Sequence, residues 1–285
     1  MAVQKFQYKK LYDELSRWII DDCSRKLFHE EPRKKIETHL VTATPFASGH
    51  ELSKQSQWWL TEAIVSCPHD IERANTAYIR SIDWLICELV TELARSEQNP
   101  RVNLGSIVDP CMRLAMAIAS ESKDRALFLS DMISRGLAKD LFLADVDVPI
   151  SLLVIGLDAR WRGVSPPVLK HKLKSDHVYA EFLTCLDAKD STALPDKLTA
   201  MCDLHLARSR NSTSRETYEF DDIDYRIYPA EVFAALKVCE ALGIPLKGFS
   251  HPIIDTPLAQ LGAPKQALID PLLERVKLKL KIGIA

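Results

Sequence analysis

Asp70-Ile-Glu-Arg-Ala-Asn-Thr-Ala-Tyr78-Ile-Arg-Ser-Ile82-Asp-Trp-Leu85-Ile-Cys-Glu-Leu89-Val-Thr-Glu-Leu93-Ala-Arg95 is the stretch that decides the fold. Ile71, Ala74, Tyr78, Ile82, Leu85, Leu89 and Leu93 recur at steps of three and four, which is the spacing of one face of an α-helix. Asp70 supplies a side-chain acceptor where the first turn has spare N–H groups, and so reads as the N-cap. Ala74, Ala77, Ser81 and Ala94 are small enough to let neighbouring helices approach closely. Such a helix draws its stability from what packs on its apolar face, so it predicts a core helix surrounded by others.

The flanking sequence repeats this pattern in shorter pieces. Upstream, residues 4–29 carry Phe6, Leu11, Leu15, Trp18, Ile19 and Leu27 at helical spacing, with Pro32 expected to end the helix. The stretch 44–49 is a break, and residues 51–66 form a second helix ending before Pro68. In that helix Trp58-Trp59 predicts one ring in the core and one at a helix–helix rim. Downstream, Asn99-Pro100 breaks the chain and Asp109-Pro110 opens a small-residue helix through Ala119. Helices are also expected over 124–139, 150–161, 179–188 and 194–208, with a short basic one starting after Pro166-Pro167 and containing Lys170, Lys172 and Lys174. Pro229 then opens a helix carrying Val232, Phe233, Leu236, Cys239 and Leu242, which Gly243 caps and Pro245 stops. The fold class is therefore all-α, a multi-helix array of short-linked antiparallel helices with no repeat of fixed period. The aspartate-rich interruption at 140–149 divides it into halves, 1–148 and 149–285, of one continuous globular unit. Near the C-terminus Val276, Leu278, Leu280 and Ile282 alternate with lysines. That pattern fits either a small β pair with Leu246–Phe249 or the end of a basic helix beginning at Leu272.

Composition narrows the function classes. With 285 residues, 47% apolar and 27% charged, the chain buries a sizeable core. A net charge of −2 gives no global support to nucleic-acid binding. Apolar runs such as 150–157 are far shorter than the roughly 20 residues that span a bilayer, so no membrane partner is expected. No secretory signal is visible, and seven scattered cysteines without Cys-x-x-Cys fit a reduced, cytoplasmic compartment.

Reactive groups are sparse in pattern. His69-Asp70 is the pair that helical metal phosphohydrolases use, and His39 or His50 with Asp109 or Asp124 would complete a ligand set. The plainer reading, Asp70 as cap and His69 as a turn residue, is preferred. Neither a phosphate-cradling loop nor a nucleophile elbow occurs, so no catalytic residue, metal or cofactor is assigned. His205 reads as helix-terminal or partly buried. The most suggestive stretch is Glu216-Thr-Tyr-Glu-Phe-Asp-Asp-Ile-Asp224, with five acids and no basic residue. It is either a solvated loop or a surface for a basic partner, in which Glu216, Tyr218, Glu219, Asp221, Asp222 and Asp224 combine steering charge with aromatic anchors. Its spacing is not that of an EF-hand.

Two segments carry a resemblance. Phe182-Leu-Thr-Cys-Leu-Asp-Ala-Lys-Asp-Ser-Thr-Ala-Leu194, followed by Leu198 and Leu204-His205, is a leucine-rich helix, an acidic turn and a helix ending at a histidine. Ile227-Tyr-Pro-Ala-Glu-Val-Phe-Ala-Ala-Leu236 runs to the stop Gly243-Ile244-Pro245 and to Gly248-Phe-Ser-His-Pro-Ile-Ile254. Together these resemble the C-terminal half of immunity-protein family 49, an α-helical family from bacterial polymorphic-toxin systems. Lys237 and Cys239 depart from the family's Ala/Leu-rich helix. The resemblance implies a non-enzymatic protein that binds a cognate secreted toxin and occludes its active site. A helical phosphohydrolase using His69 and Asp70, or a helical-array scaffold, are the alternatives.

Overall fold

The computed structural model describes residues 2–42, 49–99, 101–142, 148–167, 169, 171–213, 218–266 and 268–284. Its helices are α1 (Ala2–Ile20), α2 (Asp22–Arg25), α3 (Glu31–Val41), α4 (Gly49–Ser66), α5 (Ile71–Gln98), α6 (Val108–Ala119) and α7 (Lys123–Ala138). They continue with α8 (Pro149–Arg162), α9 (Val178–Asp187), α10 (Leu194–Arg208), α11 (Ile223–Ile227), α12 (Ala230–Ala241) and α13 (Pro271–Leu280). The protein is all-α, and no strand occurs among the described residues.

The decisive stretch forms α5, and Asp70 caps it by accepting the Arg73 N–H (3.0 Å). A turn at 67–70 folds α4 back on α5 in the most extensive helix pairing of the fold. Ser56 Oγ of α4 donates to the Ser81 carbonyl of α5 (2.7 Å) across that pairing. α6 packs against α5, α7, α8 and α12 together, which is why its residues Pro110–Ala119 are all buried. The α9–α10 hairpin covers α8, α1 and α11 lie on α4, and α13 returns to α3 and α5. One cluster of buried apolar side chains extends from Leu15 to Ile284 and crosses the expected division at 148/149. At its centre Tyr78 Oη donates to the Met116 carbonyl (2.9 Å), which commits its only proton. Tyr228 Oη must then be the donor to Tyr78 Oη (2.9 Å), so α5, α6 and the entry to α12 are joined by one hydrogen-bonded chain.

Four expectations change. The helix over 4–29 divides, because Asp21 accepts the Ser24 N–H (2.8 Å) and starts the new turn α2, followed by a π-turn over Lys26–Glu30. Pro32 begins α3 instead of ending its predecessor; in the first turn its missing N–H costs nothing. The basic stretch is irregular at 171–174, having too few apolar residues to hold a helix against the core; residues 168 and 170 lie outside the described residues. The tail takes the helical alternative, with 246–249 a turn, so the small β pair is absent. Asp270 caps α13 through the Leu272 and Leu273 N–H groups, and Leu272, Leu273, Val276 and Lys277 form the buried face while Leu278 is exposed. Trp58 is buried and Trp59 half-buried under the Arg80 guanidinium (4.7 Å), the expected division between core and rim.

Asp83 of α5, 4% exposed, holds α7 and α13 in place. It accepts from Arg125 Nε and Nη2 (2.7 and 3.0 Å) and faces Lys277 Nζ (3.2 Å). Removing one member of a buried charge cluster leaves the others uncompensated. Asp83→Ala is expected to cost roughly 3–5 kcal/mol in urea unfolding, and a loss below about 1 kcal/mol would contradict this role.

Candidate functional site

The site begins with a charge in an improbable place. Arg113 lies in the middle of α6, a helix buried on all sides, and is itself 4% exposed. A guanidinium stays protonated inside a protein, so its donors must be matched. Arg113 Nε and Nη2 both donate to Ser56 Oγ of α4 (3.3 and 3.3 Å). Nη1 donates to Tyr225 Oη (3.1 Å) and to Met116 Sδ (3.5 Å). Tyr225 Oη donates onward to Asp109 Oδ1 (2.6 Å). The five-residue helix α11 is thereby attached to both α4 and α6.

The acidic segment leads into α11, and most of its carboxylates have local work. Glu216 lies outside the described residues. Tyr218 is half-buried, its ring beneath the guanidinium groups of Arg208 (4.8 Å) and Arg210 (6.0 Å). The half-buried Glu219 lies beside the start of α8, near the Ile150 N–H, where the helix dipole favours negative charge. Phe220 is buried against the His205 ring, 4.2 Å between centroids. Asp221 is exposed. The half-buried Asp222 caps α11 by accepting the Asp224 N–H (3.1 Å). Asp224, 2% exposed, accepts from Thr61 Oγ1 with both oxygens (2.9 and 3.0 Å) and does not reach the surface.

These elements enclose a cleft of about 760 Å³ between the start of α6, the start of α8, the end of α10 and the acidic segment. Asp109, Glu219, Asp221 and Asp222 supply carboxylates to its wall, against Arg208. Val108, Val148, Pro149 and Leu204 make the apolar part, and Tyr218, Tyr225 and His177 complete the lining. A cavity of about 70 Å³, lined in part by Asp109, Arg113, Asp222 and Asp224, shares Asp109, Asp222 and Tyr225 with the cleft. Burial, and then the Asp109 carboxylate, pushes the Asp222 carboxyl above the usual range. Burial, and then Asp222, raises Asp224 well above it. Burial also raises Glu219 and lowers the His177 imidazole. On α5, Glu88 is pushed up to about 8 by burial and by Asp109 and Glu92 despite a hydrogen bond with Ser53, and its Oε2 is buried without a hydrogen-bond partner.

Other candidates fall elsewhere. His69 is exposed beside the capping Asp70, and among the described residues no three His, Cys, Asp or Glu side chains are grouped to hold a metal ion. His205 is fully buried, with Nδ1 2.7 Å from Glu231 Oε1 and Nε2 3.3 Å from the Arg226 carbonyl oxygen. Burial pushes the Cys67 and Cys239 thiols up to about 11, which keeps them unreactive. Sequence reasoning missed Arg113, His177 and Arg208. The signal for Arg113 was present, since it is the one charge in Pro110-Cys-Met-Arg-Leu-Ala-Met-Ala-Ile-Ala119. No protein-family model, curated protein or solved structure matches the chain.

The Glu88 carboxyl gives the site a pH signature. Its folded value of about 8 lies above the ordinary carboxylate value of 4.5, so the folded state holds the proton more tightly. Its contribution to stability is full below the unfolded value and is lost as pH rises through the folded one. Glu88→Gln should therefore flatten the fall in stability across that window, and at pH 8 exceed the parent by on the order of 4 kcal/mol. Urea titrations at several pH values measure this, and parallel pH profiles for the two proteins would refute it.

Proposed function

We propose that this protein is a cytoplasmic immunity protein that neutralises a cognate secreted bacterial toxin by stoichiometric binding and occlusion of its active site. The observation that carries the reading is the cleft, in which four carboxylates and two tyrosines face one opening on a framework held by Arg113. Charge on such a surface speeds encounter and selects partners, while aromatic groups supply affinity. Asp222 caps α11 and Asp224 holds Thr61, arrangements that fix a surface in advance and favour recognition over turnover. A toxin with a basic substrate cleft is the natural counterpart to an acidic one. The resemblance of residues 182–261 to an immunity family supports the same reading, because that span includes the whole acidic segment.

Co-expression with the product of a toxin gene found next to this one tests the proposal. Cells should survive, the two proteins should co-elute at one-to-one stoichiometry, and Asp221→Lys, a change at an exposed position, should weaken the complex by about tenfold. Death of the co-expressing cells would count against an immunity role. So would stoichiometric bound metal that is lost in His69→Ala, which would move the protein to the phosphohydrolase class.

A further inference from the structure

We infer that α11 is latched onto α4 by a proton held on Asp224, and that the latch opens when rising pH removes that proton. The inference goes beyond the inhibitor reading and stands on the hydrogen bonds of one contact. Thr61 Oγ1 of α4 lies 2.9 and 3.0 Å from the two Asp224 oxygens and 3.2 Å from the Gln57 carbonyl oxygen. Heavy-atom positions alone let either side donate across the Thr61–Asp224 contact; the number of protons decides. A hydroxyl has one proton to give, whereas an ionised carboxylate has about four acceptor sites and no donor. With Asp224 ionised, that one proton is all that meets a carboxylate 2% exposed, because no second donor to it occurs among the described residues. With Asp224 protonated the count closes. Its O–H donates to Thr61 Oγ1, and the Thr61 proton goes to the Gln57 carbonyl one turn back.

The surroundings put the proton on Asp224 and not on its neighbour. Asp222 is half-buried and accepts the Asp224 N–H (3.1 Å), so charge is better supported there. A charge on Asp222 then disfavours a second one on Asp224. Arg113 of α6 pulls the other way, but its donors are committed to Ser56, Tyr225 and Met116. Asp109, at the start of α6, accepts from Tyr225. Of the helices packed on α11, α4 brings Glu62, already paired with Arg73 (2.5 Å). α1 brings Tyr12, whose hydroxyl donates to the Val65 carbonyl (2.6 Å). The cavity of about 70 Å³ that Asp222 and Asp224 line has room for water and shares residues with the cleft, which gives the proton a route to solvent. Asp222 and Tyr225 also line the cleft, so release of α11 loosens the wall they form. A carboxyl that holds its proton more tightly when folded contributes stability below its unfolded value and loses it as pH rises through the folded one.

Two measurements on the full chain test the latch. The first is the side-chain carboxyl carbon-13 shift of Asp224 in the unsubstituted protein. It should be that of a protonated acid at about pH 6, beyond the ordinary aspartate value of 3.8. The second is hydrogen exchange of the Arg226 and Tyr228 amides, which donate to the Asp222 and Asp224 carbonyls. Above the folded value their protection should fall about tenfold per pH unit, and in Asp224→Asn it should stay level. The asparagine amide can donate to Thr61 as the acid does, without titrating. Comparing the two proteins at each pH cancels what Glu88 contributes to both. An ionised Asp224 carboxyl at about pH 6 would overturn the inference, and that result does not require the variant to fold. Protection in Asp224→Asn that falls in parallel with the parent would overturn it too. So would protection already lost at about pH 6 in a variant that is folded by circular dichroism, since α11 would then be held by the charge and not by the proton.

Discussion

A guanidinium that cannot give up its charge, sealed into a helix buried on every side, is the constraint on which the rest of this structure depends. Placing Arg113 in the interior has a cost of several kcal/mol unless its donors are matched. The match comes from three elements at once: Ser56 on α4, Met116 on α6 itself, and Tyr225 on α11. A five-residue helix has too few internal hydrogen bonds to persist alone. α11 is stable where it is because Tyr225 closes the coordination of Arg113 and because Asp222 and Asp224 secure its start against its own backbone and against Thr61.

The same constraint explains why an acidic segment runs into the protein interior. Carboxylates near a buried cation are tolerated where apolar surroundings would otherwise exclude them. Once several are present, burial and mutual repulsion outweigh the attraction of one guanidinium, and Asp222 and Asp224 rise above the ordinary carboxylate range. Two acids nearer the surface, Asp109 and Asp221, stay exposed. The structure thus grades the segment from neutral-leaning carboxyls inside to accessible charge outside, with the cleft at the boundary.

How much of this was legible follows from the range of each signal. α5 was readable because periodicity over a long helix is a local property repeated many times, and the Asp70 cap lies within a turn of what it caps. The α12 stop was readable for the same reason: Gly243 takes φ 70° and the Ile244 N–H returns to the Cys239 carbonyl (2.9 Å). Pro32 was misread because the same fixed φ suits both the end of one helix and the first turn of the next. The tail alternates by two and by four at once, and only the capping Asp270, bound in turn by Arg33 (2.8 and 2.8 Å) of distant α3, selects the helix. The acidic segment was located by composition, yet composition could not reveal that Asp224 would be buried beneath Thr61 or that Asp109 would join from more than a hundred residues away. Those are facts of tertiary pairing. A lone arginine among apolar residues was their one local trace.

A binding surface is useful only if it is held in place before the partner arrives, and the structure fixes residues 218–224 of the acidic segment from below as well as from the side. Phe220 interrupts the run of acids and is driven inward, against the ring of His205. His205 is in turn held by Glu231 of α12, both side chains fully buried, and its other nitrogen lies near the Arg226 carbonyl of α11. Arg226 Nε donates to the Phe220 carbonyl (3.1 Å), so backbone and side chain of the same residue are both restrained. One aromatic residue placed among acids therefore converts what composition reads as a solvated loop into a wall with a fixed register. The ordering entropy that a mobile loop would lose on binding is already lost on folding. The helix bearing Glu231 has no reactive group at the surface; its contribution is to hold the histidine that holds the phenylalanine on which the cleft wall rests.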